Sequence, residues 1–350
     1  MGPVEYAAAA LVARRWTPTA QKALYRSITF QVYGDLESPG QQLVETLKRH
    51  PHLRGLVRQI SIHASTPQEL DWMDLFPENS LQNFTYSGAF SPALIQKDAI
   101  RTVSHLTTHG PMDAAGLQAC FELPLMETLE LDLTDWDPRM ASGVTVDASR
   151  ARNLKHLYIH IQCICQPIVN AMLAGLAHQL RSLHIHVSPC AKLDSTEGNW
   201  AEDFVGHVHR GANLSRVVFS GFPESHAAFS VRNMAEQTQR VQPFLNGIAQ
   251  QSALDHLGCI GGLYTEELFR TLPHTVKALE FYVDEETLFG CEGALLDLLG
   301  RIKEDGLSLR RVSFFAAKER RTWFEAIEAV CKENGVEFVF FPVVTPLQLP

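Results

Sequence analysis

The sequence has no apolar run long enough to cross a membrane. None of its apolar stretches approaches the roughly 18 consecutive residues that a transmembrane helix needs. The short stretch from Ala7 to Val12 has no basic segment before it and runs into Arg14-Arg15-Trp16, which is a poor pattern for a signal peptide. We therefore expect no membrane association and place the chain in the cytoplasm or nucleus.

An excess of positive charge is also missing. The chain has 30 Lys and Arg against 39 Asp and Glu, and its formal net charge is -9. Nonspecific binding to nucleic acid needs clustered Lys and Arg that neutralise phosphates. The composition therefore predicts no nucleic-acid partner.

Recognisable catalytic motifs are absent as well. The glycines between positions 258 and 262 lack the Lys-Ser/Thr of a phosphate-binding loop, and no Gly-x-Ser-x-Gly sequence occurs. The seven cysteines are odd in number and irregularly spaced, which predicts reduced, mostly buried thiols and no disulfide framework. Cys163 and Cys165 have no second cysteine pair to complete a zinc site. We therefore predict neither enzyme activity nor a cofactor.

What the sequence does contain is a repeated phrase: apolar, two residues, apolar, one residue, apolar. Clear copies lie at residues 57–62, 81–86, 126–131, 154–159, 180–185, 214–219, 276–281 and 309–314, and weaker copies at 103–108 and 254–259. This is the leucine-rich-repeat phrase, in which each copy is a short strand with alternate side chains pointing inward. The fold class predicted is α/β: a right-handed leucine-rich-repeat solenoid, or horseshoe, of ten or eleven repeats with a parallel concave sheet, convex helices and an N-terminal helical cap.

The spacing of the repeats averages 28 residues, which leaves room for a helix in each connection. We predict helices at 166–178, 200–209, 241–251, 266–271, 293–304 and 322–334, with Thr265 as an N-cap and Gly335 after the last C-terminus. A helical entry segment over 5–26, broken at Pro18, leads into a strand at 27–32. A last strand starts at 336 and ends at Pro342. Residues 134–153, 188–199 and 220–240 are predicted to be inserted loops.

A resemblance to a known family lies near the N-terminus. It is carried by Ala10-Leu11-Val12-Ala13-Arg14-Arg15-Trp16, by Leu24 to Phe30, and by the run from Leu47 to Val57 that contains His50-Pro51-His52-Leu53. These segments resemble fungal F-box/leucine-rich-repeat proteins, in which an F-box precedes the first strand. Only the C-terminal half of an F-box is matched. The resemblance implies a partial F-box-like cap and first strand over 1–30 and a repeat domain over 31–350.

In that family the F-box docks onto the adaptor of a cullin-type ubiquitin ligase, and the repeats hold the substrate. The resemblance implies that Leu11, Val12, Arg15 and Trp16 are the remnant of the adaptor-docking surface. The alternative is a stand-alone repeat protein that does not bind the adaptor and uses this helix to cap its first repeat. Both interpretations predict a protein-binding scaffold.

The outward positions of the strands should form the concave surface. Tyr side chains would anchor a protein partner, and carboxylates would select a basic one. The predicted partner-binding residues are Glu130, Asp132, Tyr158, His160, His184, His186, Glu280 and Tyr282. A sheet face that is merely solvated is the simpler alternative.

A third alternative is a metal or small-ligand site on the same surface. The repeat register places His109, Asp132, His160 and His186 side by side on four consecutive strands. All four are suitable ligand types. Side chains on neighbouring strands point roughly parallel and do not converge, which disfavours a metal.

Overall fold

The computed structural model describes residues 17–32, 39–64, 70–134, 147–161, 167–187, 200–221, 245–251, 253–260, 264–283 and 291–343. The chain divides into two compact units, Met1–His156 and Leu157–Pro350. Both are built from the same strand-and-helix repeat. The boundary predicted between residues 30 and 31 stays a prediction.

The first unit contains a parallel sheet whose strands follow one another in chain order. Its strands are β1 (Ser27–Val32), β2 (Gln59–Ala64), β3 (Asn83–Ser87), β4 (His105–His109) and β5 (Thr128–Asp132). The register pairs Ile28 with Ile60 and Ile60 with Phe84, so the second apolar residue of each phrase forms one continuous row. The weaker copy at 103–108 is confirmed as a strand.

The helices of the first unit are short, apart from one of 11 residues between β1 and β2. They are α1 (Thr17–Tyr25), α2 (Pro39–Arg49), α3 (Pro51–Arg54), α4 (Pro92–Ile95), α5 (Asp98–Arg101) and α6 (Ala114–Phe121), with 3₁₀ helices at Asp71–Leu75 and Ala148–Arg150. Repeats here are only 22 to 24 residues apart between β2 and β5, and a connection of that length has room for just one or two turns.

The second unit continues the same pattern with strands in chain order and parallel pairing. They are β6 (His156–Ile161, whose first residue ends the first unit), β7 (Ser182–Val187), β8 (Arg216–Ser220), β9 (His256–Ile260), β10 (Ala278–Tyr282), β11 (Arg311–Ala317) and β12 (Glu337–Val343). The weaker copy at 254–259 is therefore confirmed as a strand too.

The helices of the second unit are longer where the connections are longer. They are α7 (Pro167–Leu176), α8 (Trp200–Arg210), α9 (Glu266–Arg270), α10 (Glu292–Arg301) and α11 (Glu325–Asn334), with a helical turn at 245–249 and a 3₁₀ helix at Lys318–Phe324. Strand phrases 33 residues apart enclose the ten-residue α10, whereas phrases 22 residues apart enclose the five-residue α9.

The helices cover the inward face of the sheet and form the core with it. Phe204 on α8 lies 5.8 Å from Phe219 on β8, and Phe269 on α9 lies 6.0 Å from Phe281 on β10, between ring centroids. The apolar positions of each phrase are almost fully buried, as Ile60 shows with no exposed surface. Burying one such side chain contributes about 1.5–3 kcal/mol.

A repeated backbone contact holds neighbouring repeats in register. The carbonyl oxygen of Arg26 accepts hydrogen bonds from the N–H groups of Arg58 and Gln59 at 2.9 and 3.0 Å. The carbonyl of Ser215 accepts from Asp255 and His256 in the same way, at 2.9 and 3.0 Å. Because the contact recurs where the strands begin, a one-residue slip would break many bonds together.

Two predictions concern proline, and the second is wrong. The break predicted at Pro18 stays a prediction, because residues 1–16 lie outside the described residues; α1 begins at Thr17 and holds Pro18 in its first turn, where the missing N–H needs no partner. Pro342 does not end the last strand, because β12 continues to Val343 and pairs Pro342 with Ala316. Since β12 is the last strand in the order, it tolerates a residue without an N–H.

The two predicted helix caps are confirmed. The Thr265 hydroxyl accepts the N–H of Glu267 at 3.3 Å, and Gly335 has the left-handed φ of 72° that favours glycine at the end of a helix. Within the described ranges, no helix combines the length and the apolar character that spanning a membrane would require.

Candidate functional site

The outward face of the sheet, formed by strand side chains that alternate with the core, differs between the two units. In the first unit it is polar and half-buried. Glu130 accepts a hydrogen bond from the Thr107 hydroxyl at 3.4 Å. Asp132 accepts hydrogen bonds from both the N–H and the hydroxyl of Thr134, at 3.0 and 2.6 Å. Asp132 therefore stabilises the turn that follows β5, in addition to facing outward.

In the second unit a polar cluster surrounds Glu280 on β10. Its carboxylate lies 2.9 Å from the Nε2 atom of His256 and 3.7 Å from the Nη2 atom of Arg216, and it accepts a hydrogen bond from the Tyr282 hydroxyl at 3.3 Å. The Glu280 side chain is only 13% exposed, whereas that of Arg216 is 43% exposed. Neighbouring strands β8, β9 and β10 thus bring a carboxylate, an imidazole and a guanidinium together.

A group of aromatic and imidazole rings lies on β6 and β7 of the same face. The ring centroids of Tyr158 and His184 are 5.5 Å apart, and those of His160 and His186 are 5.1 Å apart. Ser220 on β8 joins the two β7 histidines, because its Oγ lies 2.6 Å from His184 Nε2 and 3.1 Å from His186 Nδ1. The contacts hold the imidazoles in place.

Burial and charge set the protonation of both clusters. Burial, the positive charge of Arg216 and the neighbouring histidines lower the pKa of His184 to about 4, so its imidazole is neutral at pH 7. Burial acts to raise the pKa of Glu280, but the contact with His256 and the charge of Arg216 outweigh it, and the pKa is lowered. The Tyr282 pKa is raised by burial and by the Glu280 carboxylate.

A ladder of stacked aromatic rings continues from this cluster across the last strands. Tyr282 on β10 stacks on Phe315 on β11 with centroids 4.6 Å apart, and Phe315 stacks on Phe341 on β12 at 4.6 Å. Phe341 is 44% exposed, which makes it one of the most exposed large apolar side chains in the described ranges. The ladder gives the outward face an apolar end.

The central part of this face is more buried than the repeat pattern predicts. Val218, Ser220 and Ser313 are at most 4% exposed, although all three occupy outward positions. Gly258 explains part of this, because a Cβ built there would lie 2.7 Å from Val218 Cγ1. The expectation that every outward position points to solvent is therefore wrong between β8 and β11.

The eight predicted partner-binding residues are divided between the units. Glu130 and Asp132 lie in the first unit, and Tyr158, His160, His184, His186, Glu280 and Tyr282 lie on the outward face of the second. Sequence reasoning missed Arg216 and His256, which occupy the outward positions two residues before Val218 and Gly258. Their alternation with the apolar residues of β8 and β9 was the available signal.

The described residues do not form a set of ligands for the metal site considered above. Over the described ranges, no three side chains of His, Cys, Asp or Glu are arranged to hold a metal ion. Of the four candidates, His109 and Asp132 belong to the first unit, and His160 and His186 to the second. The Asp132 carboxylate is engaged by Thr134.

Cysteine chemistry follows from burial. Cys120, Cys259 and Cys331 are free and buried, and Cys291 is free and partly buried. Burial raises the pKa of each thiol, for Cys331 to about 11, so these thiols are protonated at pH 7 and are weak nucleophiles. Cys163, Cys165 and Cys190 lie outside the described residues.

The predicted adaptor-docking remnant, Leu11, Val12, Arg15 and Trp16, also lies outside the described residues. The predicted junction with an F-box therefore stays a prediction; within the described residues, α1 leads into β1.

Comparison with known proteins finds likenesses among solved structures. No protein-family model and no curated protein matches the chain. A solved structure described as "Crystal structure of Rad7 and Elc1 complex in yeast" is similar over 93% of this chain and 82% of that chain, with 14% identity and a TM-score of 0.40. A likeness this distant carries no argument about the function of this chain.

Proposed function

We propose that this protein is a non-enzymatic scaffold that holds a polypeptide partner on the outward face of its second unit. The observation that supports this is the joining of a half-buried charged cluster around Glu280 to an aromatic ladder ending at Phe341. Arg and aromatic side chains in partly desolvated positions are the groups that dominate protein–protein binding energy. The leucine-rich-repeat fold offers this face as a continuous sheet surface.

The chemistry of the face suggests what the partner segment contains. The exposed ring of Phe341 would accept an apolar or aromatic side chain by stacking. Arg216, which is 43% exposed beside the ionised Glu280, would bind a carboxylate or a backbone carbonyl. Tyr158 and the β7 histidines would contribute hydrogen bonds at the other end of the face.

We propose further that the chain is the substrate receptor of a cullin-type ubiquitin ligase in the cytoplasm or nucleus of a fungus. This finer proposal depends on the F-box resemblance of Leu11, Val12, Arg15 and Trp16, which would contact the ligase adaptor. The alternative is a stand-alone repeat protein whose N-terminal segment only caps the first repeat. The two differ in one respect, which is binding to the adaptor.

Affinity purification with identification of bound proteins by mass spectrometry tests both the scaffold proposal and the ligase proposal. The tagged chain is compared with Trp16→Ala, which should lose adaptor and cullin while keeping the substrate partner. Tyr158→Ala should do the reverse, reducing capture of the partner at least tenfold. Trp323→Ala is the matched control, because Trp323 is an exposed aromatic residue outside the outward face.

Each outcome has a definite meaning. Recovery of other proteins without adaptor or cullin would contradict the ligase proposal and leave the scaffold. Equal capture of the partner by wild type and by Tyr158→Ala, together with unchanged capture by Phe341→Ala, would contradict the outward face as the binding surface.

A further inference from the structure

A small basic pocket lies at the start of the first unit, away from the outward-face clusters. It has a volume of about 240 Å³ and is lined by Lys22, Arg26, Gly55, Leu56, Arg58 and Gln82. Three of these six residues are cationic, and the Gln82 amide can donate hydrogen bonds. The overall charge of -9 hides this local concentration.

The fold itself brings the cations together. Lys22 on α1 precedes Arg26 by four residues, which is about one helical turn. The N–H of Arg58 donates to the Arg26 carbonyl at 2.9 Å, so the two arginines stand at the starts of adjacent strands, roughly 4.8 Å apart in the backbone. The Arg58 guanidinium is oriented by its bonds to the carbonyls of Ser80 and Val57, at 2.8 and 3.0 Å.

Two other cations at strand starts have partners of opposite sign. Lys155 pairs with Glu127 at 2.7 Å, and Arg311 pairs with Glu337 at 2.8 Å. By contrast, no acidic side chain within the described ranges pairs with the cations of this pocket. Like charges held together without a counter-charge repel each other, and an anionic ligand would relieve that repulsion.

We propose that this pocket binds a phosphate monoester dianion. Arginine guanidinium groups match phosphate oxygens in pairs, and Lys22 would supply a further point charge. Three cations around a small cavity favour one phosphoryl group over an extended polyanion. Such a group belongs either to a free phosphate compound or to a phosphorylated side chain of a polypeptide. The proposal does not depend on the proposed partner surface.

Gly55 provides a variant that fills the pocket without disturbing the backbone. Its φ of -70° suits any residue, and a Cβ built there meets no atom within 4 Å. Gly55→Glu should therefore place a carboxylate among the cations while the melting temperature stays near that of wild type. Arg26→Glu removes a cation directly. Arg58 is unsuitable because its guanidinium also bonds to the backbone.

The experiment is calorimetric titration of the full chain at constant ionic strength with inorganic phosphate, a phosphoserine peptide, the same peptide unphosphorylated, and a single-stranded RNA. Both variants should weaken phosphate and phosphopeptide binding at least tenfold. Arg49→Glu is the matched control: Arg49 is an exposed cation at the end of α2 that does not line the pocket, and this change should alter binding less than threefold.

Comparing the titrations also identifies the source of the phosphoryl group. Similar affinities for inorganic phosphate and phosphopeptide would indicate a free phosphate compound, and at least tenfold tighter phosphopeptide binding would indicate a polypeptide. The proposal is overturned if neither binds, if the unphosphorylated peptide binds equally well, or if only the RNA binds. An effect of Arg49→Glu as large as that of Arg26→Glu would also overturn it.

Discussion

His184 makes the stability of this protein depend on pH in the mildly acidic range. Its imidazole is packed against Tyr158, bonded to Ser220 and placed near Arg216, so adding a proton would put a positive charge in a partly buried, already cationic setting. The folded chain therefore keeps the neutral form, with a pKa of about 4 against 6.5 in the unfolded chain. Between these two pKa values, the imidazole of His184 carries a proton in the unfolded chain but not in the folded chain.

The size of the effect follows from proton linkage. The native state is fully favoured by this group above pH 6.5, loses that advantage as the pH falls, and has lost it near pH 4. One proton contributes about 1.4 kcal/mol for each pH unit. The free energy of unfolding should therefore fall by about 3 kcal/mol through His184 between pH 6.5 and pH 4.

Urea unfolding of wild type and His184→Gln from pH 7 to pH 4 measures this contribution, because other titrating groups are common to both. Glutamine can still bond to Ser220 but carries no proton-binding nitrogen. As the pH falls, we expect the free energy of unfolding of wild type to decrease by about 3 kcal/mol more than that of His184→Gln. His178→Gln, which removes an exposed imidazole, is the control. Parallel pH profiles for wild type and His184→Gln would refute the reasoning.

Two further substitutions test the packing around the outward face. Gly258→Ala should lower the free energy of unfolding by about 1–3 kcal/mol, because the added Cβ meets the buried side chain of Val218. Adding Val218→Ala should recover part of the loss, and additive effects in this double-mutant cycle would contradict the proposed clash. Asp132→Ala should cost about 1 kcal/mol through the lost bonds to Thr134. Urea unfolding of Asp132→Ala, Thr134→Ala and the double variant should show that the two changes are not additive, and full additivity would mean that this contact contributes nothing to stability.

The strands were predictable because the phrase that defines them is local. Alternation of apolar residues over six positions is enough to identify a strand and its buried side, and it placed even the weaker copies at 103–108 and 254–259. The longer helices followed from the room between phrases. The short helices α4 and α5 of the first unit, four residues each, carry too little periodicity to be predicted.

The candidate site was only partly predictable. The repeat register identified Glu280 and Tyr282 as outward residues on one strand, and they do share a hydrogen bond. It did not identify Arg216 as a neighbour of Glu280, because these residues are 64 positions apart and belong to strands separated by β9. The predicted exposure of Val218 was wrong, because the exposure of this side chain depends on how closely Gly258 allows β9 to approach β8.

By itself, the sequence determined the fold class, the order of the strands and the side of each strand that is buried, since these depend on spacing and hydrophobicity along the chain. Only the tertiary structure decided which outward residues are buried, which of them contact one another, and which of their ionisable groups carry a charge. The low pKa of His184 and the gathering of Lys22, Arg26 and Arg58 around one pocket are examples. Both depend on distances and desolvation among residues of different repeats, which a linear pattern does not contain.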